Sequence, residues 1–539
     1  MNDAALLRPA GAAGALLRRA GGVAALLLAA AACAQPSIDT VLIDARVLSV
    51  DAQFSEFEAL AIAAGRISAL GTTAEILALA DAATRVIDVE GRTVIPGLID
   101  NHFHFARAVQ RWHLQARLDG VDSRATALDI LRDKAARAAP GEWIIVQGGW
   151  APHQFADRPG GFTLAELDAV APGNPLFLQQ GYSTVFANTL ALQAVGLSPD
   201  DGAQRAAAGL ATFQPPYGAL IEQIPPTSPA QLERNLTDFM ATLNAAGLTG
   251  VYALGRGPEG ESEIIAARAA GGDLSLRIWH TLAFEATDPA AASAAIELIE
   301  ASRPNTFDEN FGLFGLGEHV YLPFFDLPGQ AGPWPQEIID QYMRLARAAA
   351  RGGWHIHEHT MSNHSVGDLL DRFEVLNAQL PIDHLRWTLA HVYDISSENI
   401  ARARRLGMTL AVHGVAMYSP TFMPLQEIES SGIVWGLGTD ATVVSHYQPF
   451  VTLGWAVSGL DLAGNRVLDS TVSREAALIA HTRSNAWLFF REDDLGTLEP
   501  GKLADLLVLD RDYMSVPAAE IRNIVPVMTM VGGRIVYER

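Results

Sequence analysis

Apolar residues fall into short bursts at both ends of the chain. Residues 40–50 (TVLIDARVLSV) and 59–70 (ALAIAAGRISAL) read as strands, with a turn at Ala64-Gly65-Arg66, and residues 85–89 and 92–95 continue the pattern. Residues 504–509 (ADLLVL) and 526–537 (PVMTMVGGRIVY), with a turn at Gly532-Gly533, have the same texture. Both ends are β-rich and the middle is not. The pattern therefore predicts a small β-sandwich domain built from residues 38–95 and 496–539, flanking an α/β domain over 96–495.

In the middle, helical and strand periodicities alternate. Ser228-Pro229-Ala230-Gln231 reads as a capping box with proline at the first helical position. Leu232, Leu236, Phe239 and Leu243 then recur at helical spacing, and Gly247 closes the helix. A second helix is expected over 335–351, with Ile338, Ile339, Tyr342, Leu345 and Ala349 on one face. Apolar strands are expected from Leu98 and over 249–254, 276–282, 311–316, 354–359, 386–391, 409–413 and 433–437. Eight strands with helices between most of them give an α/β fold, a (β/α)8 TIM-type barrel. Residues from about 106 to 226 exceed one crossover and hold two further strands, 143–147 and 176–179. They read as an insertion over the barrel mouth, and long insertions with their own structure usually serve function.

Barrel sites lie at the C-terminal ends of the strands. There the sequence places His102 and His104 (strand one), Glu318 (four), His359 (five), His391 (six), His413 (seven) and Asp440 (eight). Residues 94–105 read VIPGLIDNHFHF, and alternate residues of a strand share a face, so His102 and His104 project together. Strand five offers His355, His357 and His359 on one face. The last is nearest the strand end and is preferred, with His357 next. Asp440 sits in Gly436-Leu437-Gly438-Thr439-Asp440-Ala441, and a buried aspartate there needs a partner such as a metal or its water. Glu318 and His413 fit either a ligand or a group that orients one.

This donor set implies a divalent metal, zinc first, with iron, manganese and cobalt also suited to imidazole and carboxylate ligands. Such an ion makes water acidic near neutral pH, and Asp440 beside it can carry the proton. A bridging Glu318 would make the site binuclear; otherwise it holds one ion. Trp150, Tyr182, His413 and His446 are the expected substrate-binding residues. His153, Glu222 and Tyr321 are further pocket candidates, and taken singly each is more often structural.

Composition narrows the class. The chain has 539 residues, 49% hydrophobic and 18% charged, with a formal net charge of -22. That balance argues against nucleic-acid binding, which needs a basic footprint. Cys33 is the sole cysteine, so no intrachain disulfide forms and a metal must be held by His and carboxylates. Arg8, Arg18 and Arg19 precede an apolar run at 23–32 and then Cys33-Ala34-Gln35-Pro36. The apolar run is too short to span a bilayer, and the segment reads as a signal peptide over 1–34. Cleavage before Cys33 would give a lipidated, membrane-attached N-terminus, and cleavage after Ala34 a soluble form. The Arg18-Arg19 pair also fits a twin-arginine route. The expected location is outside the cytoplasm, periplasmic or as a membrane-anchored lipoprotein. A homo-oligomer stays open.

The motifs match a family. Ile95-Pro96-Gly97-Leu98-Ile99-Asp100 before His-x-His, Leu389-Ala390-His391, Gly438-Thr439-Asp440, and the tail run Gly496–Asp505 (GTLEPGKLAD) resemble the amidohydrolase superfamily. Gly148-Gly149-Trp150, residues 167–172 (LDAVAP) and residues 187–192 (ANTLAL) look like the family 3 branch that contains N-substituted formamide deformylase. The resemblance implies metal ligation by His102, His104, His359 and His391, with Asp440 as ligand and proton carrier. It implies hydrolysis of a C–N bond, amide or cyclic amide, in a small-molecule substrate. A lactonase or esterase on the same fold, or a non-catalytic metal-containing binding protein, are the alternatives. Three departures stand out. Gly317-Glu318-His319 replaces a fourth-strand lysine, Gly181-Tyr182 replaces Gly-His, and Ser362-Asn363 replaces Gly-Asp. The first bears on the metal bridge, the others on substrate recognition.

Overall fold

Eight parallel strands follow one another round a barrel in chain order. They are β1 (Leu98–Phe103), β2 (Leu248–Ala253), β3 (Arg277–Thr281), β4 (Phe311–Glu318), β5 (His355–Thr360), β6 (Thr388–His391), β7 (Thr409–His413) and β8 (Trp435–Gly438). The first and last strands meet just beyond β8: Asp440 N donates to His102 O (3.0 Å) and His104 N to Ala441 O (2.8 Å). All eight strands stand where the hydrophobic runs put them. Strands buried on both faces read as near-continuous apolar stretches, which is why they were legible.

The computed structural model describes residues 37–182, 184–197, 216–255, 261–327, 330, 332–418 and 423–539. The expected signal segment over 1–34, with Cys33, lies outside them. Among the described residues no helix is long and apolar enough to cross a membrane.

The helix Pro229–Ala246 is capped by Ser228, whose side chain accepts from Gln231 N (3.3 Å), and closed by Gly247 at φ 98°. Only half of the expected capping box forms. Gln231 turns its amide to Asn235 Oδ1 (2.9 Å) instead, because Asn235 is buried and itself anchors Val109 O (2.8 Å). The second expected helix runs Gln336–Gly352 and buries Ile339, Tyr342 and Leu345.

Two β-sheets come from the chain ends. One orders Arg534–Glu538, Pro526–Val531, Leu506–Leu509, Thr93–Pro96, Arg46–Leu48 and Glu56–Phe57. The other orders Arg66–Gly71, Ala59–Ala63, Thr40–Ile43 and Arg85–Asp88. Leu42, Leu60 and Ile62 of the second share one apolar cluster with Val94, Leu506 and Met528 of the first. Arg277 of β3 ties this layer to the barrel. It is 2% exposed, and its Nε and Nη2 meet Asp505 at 2.7 and 2.8 Å.

The segment after β1 carries its own three-stranded sheet, Thr184–Ala187, Leu176–Gln180 and Ile144–Gln147. The last two match the expected insertion strands. Thr184–Ala187 was not foreseen, since it is a four-residue edge strand with a single buried residue. The insertion docks at the barrel mouth, where Gly149 N donates to Val443 O (3.2 Å) and Arg117 Nη2 to Thr442 O (3.1 Å).

Candidate metal centre

The strand ends bring four imidazoles round one carboxylate. Glu318, the last residue of β4, directs Oε2 at His102 Nε2 (3.3 Å), His359 Nδ1 (3.2 Å) and His391 Nε2 (3.4 Å). Its Oε1 lies 3.2 Å from His104 Nε2. Asp440 closes the other side, with Oδ1 3.3 Å from His104 Nε2 and 3.6 Å from His102 Nε2. All six groups are buried. Four sets of potential ligand atoms fall within 4.8 Å of one another among the described residues: His102, His104 and Glu318; His102, His391 and Asp440; Glu318, His319 and His359; and, deeper, His102, His357 and His413.

The backbone is bent to achieve this. His391 and Asp440 adopt φ values of 73° and 63°. Left-handed non-glycine residues are uncommon and cluster at functional sites. Gly436 and Gly438 allow β8 to approach β1 closely. A Cβ at Gly436 would stand 2.7 Å from Asn101 Nδ2 of β1, and one at Gly438 2.4 Å from Asn101 Oδ1.

Charge is arranged to keep the carboxylates ionised. Burial alone would raise the Glu318 pKa, but the surrounding imidazoles His319, His102 and His104 hold it well below the usual range. Burial likewise works against Asp440, and His102, His104 and His391 bring its carboxyl down. Burial and the neighbouring His359 push His391 down to about 4. A divalent ion fits this setting. His102 Nε2 is buried without a hydrogen-bond partner among the described residues, and it faces the Glu318 and Asp440 oxygens. Four nitrogens and two carboxylates are the donor types that such ions take.

Each supporting contact has a source in the fold. Asp100 of β1 accepts from His102 N (3.0 Å), Thr439 N (3.0 Å) and Thr439 Oγ1 (2.6 Å), so one carboxylate sets the approach to both His102 and Asp440. Asp326, fully buried beyond β4, accepts from Met361 N and Ser362 N (both 2.8 Å). Its backbone carbonyl accepts from His359 Nε2 (3.1 Å), which leaves His359 Nδ1 directed at Glu318. Sequence reading gave Asp326 no role. It lies in Phe325-Asp326-Leu327, and an acidic residue between apolar ones was the available signal. His319, also unassigned, lines the cavity beside Glu318.

Of the strand-five histidines, His359 joins the cluster, while His357 lies deeper with Nε2 3.0 Å from His102 Nδ1. A cavity of about 480 Å³ opens onto His104, Glu318, His359, His391 and Asp440. Its remaining wall is largely apolar, with Leu254, Phe284, Phe325 and Met361. Of the four residues expected to bind substrate, Tyr182 lines this cavity, and its hydroxyl accepts from Arg107 Nη1 (2.6 Å). The other three are placed elsewhere. Trp150 is in the insertion core, packed on Phe155 and Phe162 and donating from Nε1 to Gln179 O (2.9 Å). His413 is fully buried behind His391, at 3.0 Å between their Nδ1 atoms. His446 is fully buried near Gly414, and burial pushes its pKa down to about 3.

The amidohydrolase family profile matches residues 85–537. N-substituted formamide deformylase of Arthrobacter pascens is 26% identical over 93% of this chain and 98% of its own. Putative amidohydrolase YtcJ of Bacillus subtilis is 26% identical over 85% of this chain and 91% of its own. An uncharacterized metal-dependent hydrolase from Pyrococcus furiosus superposes with TM-score 0.58 at 19% identity, over 88% of this chain and 100% of that one. An adenosine deaminase from Xanthomonas campestris, with bound zinc, gives TM-score 0.54 at 15% identity over 94% of each chain. Fold, strand-end donors and family profile converge: the chain belongs to the amidohydrolase family and is a metal-dependent hydrolase acting on C–N bonds.

Proposed function

We propose that His102, His104, His359, His391, Glu318 and Asp440 would hold two zinc ions, and that Asp440 carries the proton in hydrolysis of a linear or cyclic amide. The observation that carries this reading is the convergence of four imidazoles on the two oxygens of Glu318, with Asp440 opposite. Six donors exceed the four that one tetrahedral zinc takes. Potential ligand atoms group as His102, His104 and Glu318, as His102, His391 and Asp440, and as Glu318, His319 and His359, so Glu318 is common to two of these sets. The zinc in the adenosine deaminase from Xanthomonas campestris supports the choice of metal.

When bound, the metal supplies Lewis acidity: a polarised carbonyl, and water acidic enough to lose a proton near pH 7. The rest falls to the chain's own groups. Asp440 Oδ1 faces His102 and His104, which leaves Oδ2 to take the proton of the attacking water. Asp440 then returns that proton to the departing nitrogen, which leaves as a neutral amine. The apolar wall at Phe284 and Phe325 receives the apolar part of the substrate. A formyl group is not assigned to the substrate, because Gly181-Tyr182 and Ser362-Asn363 depart from the branch pattern.

The test is removal and return of metal. Chelation is expected to abolish hydrolysis of an amide panel, and zinc to restore it. Full activity in the chelated, metal-free protein would sink the reading. The proposal also places the mature enzyme outside the cytoplasm, on the strength of the run at 23–32 and Cys33. Fractionation of expressing cells checks this, and an unprocessed cytoplasmic protein would overturn it.

A further inference from the structure

Two imidazoles stand behind the metal cluster without reaching the cavity. His102 turns Nε2 to Glu318 and Asp440, and its Nδ1 lies 3.0 Å from His357 Nε2. His391 turns Nε2 to Glu318, and its Nδ1 lies 3.0 Å from His413 Nδ1. His357 and His413 are 1% and 0% exposed, and neither is on the cavity wall. They come from the inward faces of β5 and β7. Their rings lie 5.1 and 4.3 Å from that of His102.

A neutral histidine that ligates through Nε2 carries its proton on Nδ1. Buried, that N–H needs an acceptor. Metal-ligating histidines usually find a carboxylate, a carbonyl or water. His359 follows the rule, donating to the Asp326 carbonyl. His102 and His391 do not. Asp440 Oδ2, at 3.7 Å from His391 Nδ1, is beyond hydrogen-bond range, and the near partner of each is another ring. At 3.0 Å between ring nitrogens one must donate and the other accept, and with the donor proton on Nδ1 of each ligand the facing ring is the acceptor.

We propose that His357 and His413 are positioning residues. His357 accepts at Nε2 from His102, and His413 accepts at Nδ1 from His391, which fixes the tautomer and orientation of two metal ligands. The proposal rests on the metal reading above. His413 Nε2 has no partner among the described residues, so the bond to His391 is its one polar anchor there. A neutral imidazole raises the basicity of its partner less than a carboxylate would, which leaves the centre more electrophilic.

The test is metal release from the holoenzyme into excess chelator, followed by absorbance. His357→Leu and His413→Leu are expected to release metal roughly 10–100-fold faster than wild type. The rescue pattern is atom-specific. Glutamine reaches the Nε2 position and asparagine the Nδ1 position, so His357→Gln and His413→Asn should hold metal close to wild type. His357→Asn and His413→Gln should not. Where a leucine variant does not fold, this Gln-against-Asn comparison is decisive alone. Equal behaviour of Gln and Asn at each position, or wild-type release from the leucine variants, would overturn the proposal while the metal reading stands. A wild-type protein that holds no metal overturns that reading and the proposal with it.

Discussion

Replacing Asp440 with asparagine is expected to cut kcat roughly 10²–10⁴-fold, the span that a positioned proton carrier supplies. Asparagine is the discriminating choice here. Asp440 sits at φ 63°, a left-handed conformation that asparagine tolerates and most other residues do not. Its amide oxygen can still face His102 and His104, where Asp440 Oδ1 lies at 3.6 and 3.3 Å. The fold and most of the metal should therefore survive, while no oxygen remains that can take and return a proton. Loss of an interaction made only in the transition state lowers kcat and kcat/KM together. Steady-state kinetics and metal content on the same preparation check both halves. Near-normal turnover with metal in place would remove Asp440 from the proton path.

The barrel was legible because its signal is physical and repeated. Each strand is buried on both faces, and chemistry concentrates at one end of every strand in the second half. What stayed illegible depends on depth and partners. In His355-Ile356-His357-Glu358-His359 the three histidines share a face, so periodicity cannot rank them. They differ by two residues along the strand, about 6.6 Å at 3.3 Å per residue. That step separates the ring at Glu318 from the ring behind His102. His413 shows the same ambiguity, being at a strand end yet behind a ligand rather than in front of substrate. Trp150 and His446 looked available because sequence gives no sign of burial within an insertion or beneath a turn. Asp326 depends on contacts to residues 35 and 36 positions away, which no local pattern encodes.

Glu318→Ala carries the other large expected effect, a fall in metal content from two ions per chain to one, with hydrolysis lost. Alanine is needed because glutamine could still ligate through its amide oxygen. The argument is one of ligand count. Without Glu318, His102, His104 and Asp440 still supply three donors to one ion, as many as many catalytic zinc sites use. Away from these, only His319 and His359 remain of the set that Glu318 completed, and two protein donors are too few to retain an ion through dialysis. The survivor should therefore sit at His102 and Asp440, with His104 and His391 beside them. Metal analysis of the purified protein by mass spectrometry, wild type against variant, reads this directly. One ion in both proteins would make Glu318 an orienting group, and hydrolysis would then rest on a single ion with Asp440. Two ions in both would show that the imidazoles alone hold the second metal. Either result would end the case for the carboxylate bridge that replaces the usual fourth-strand lysine.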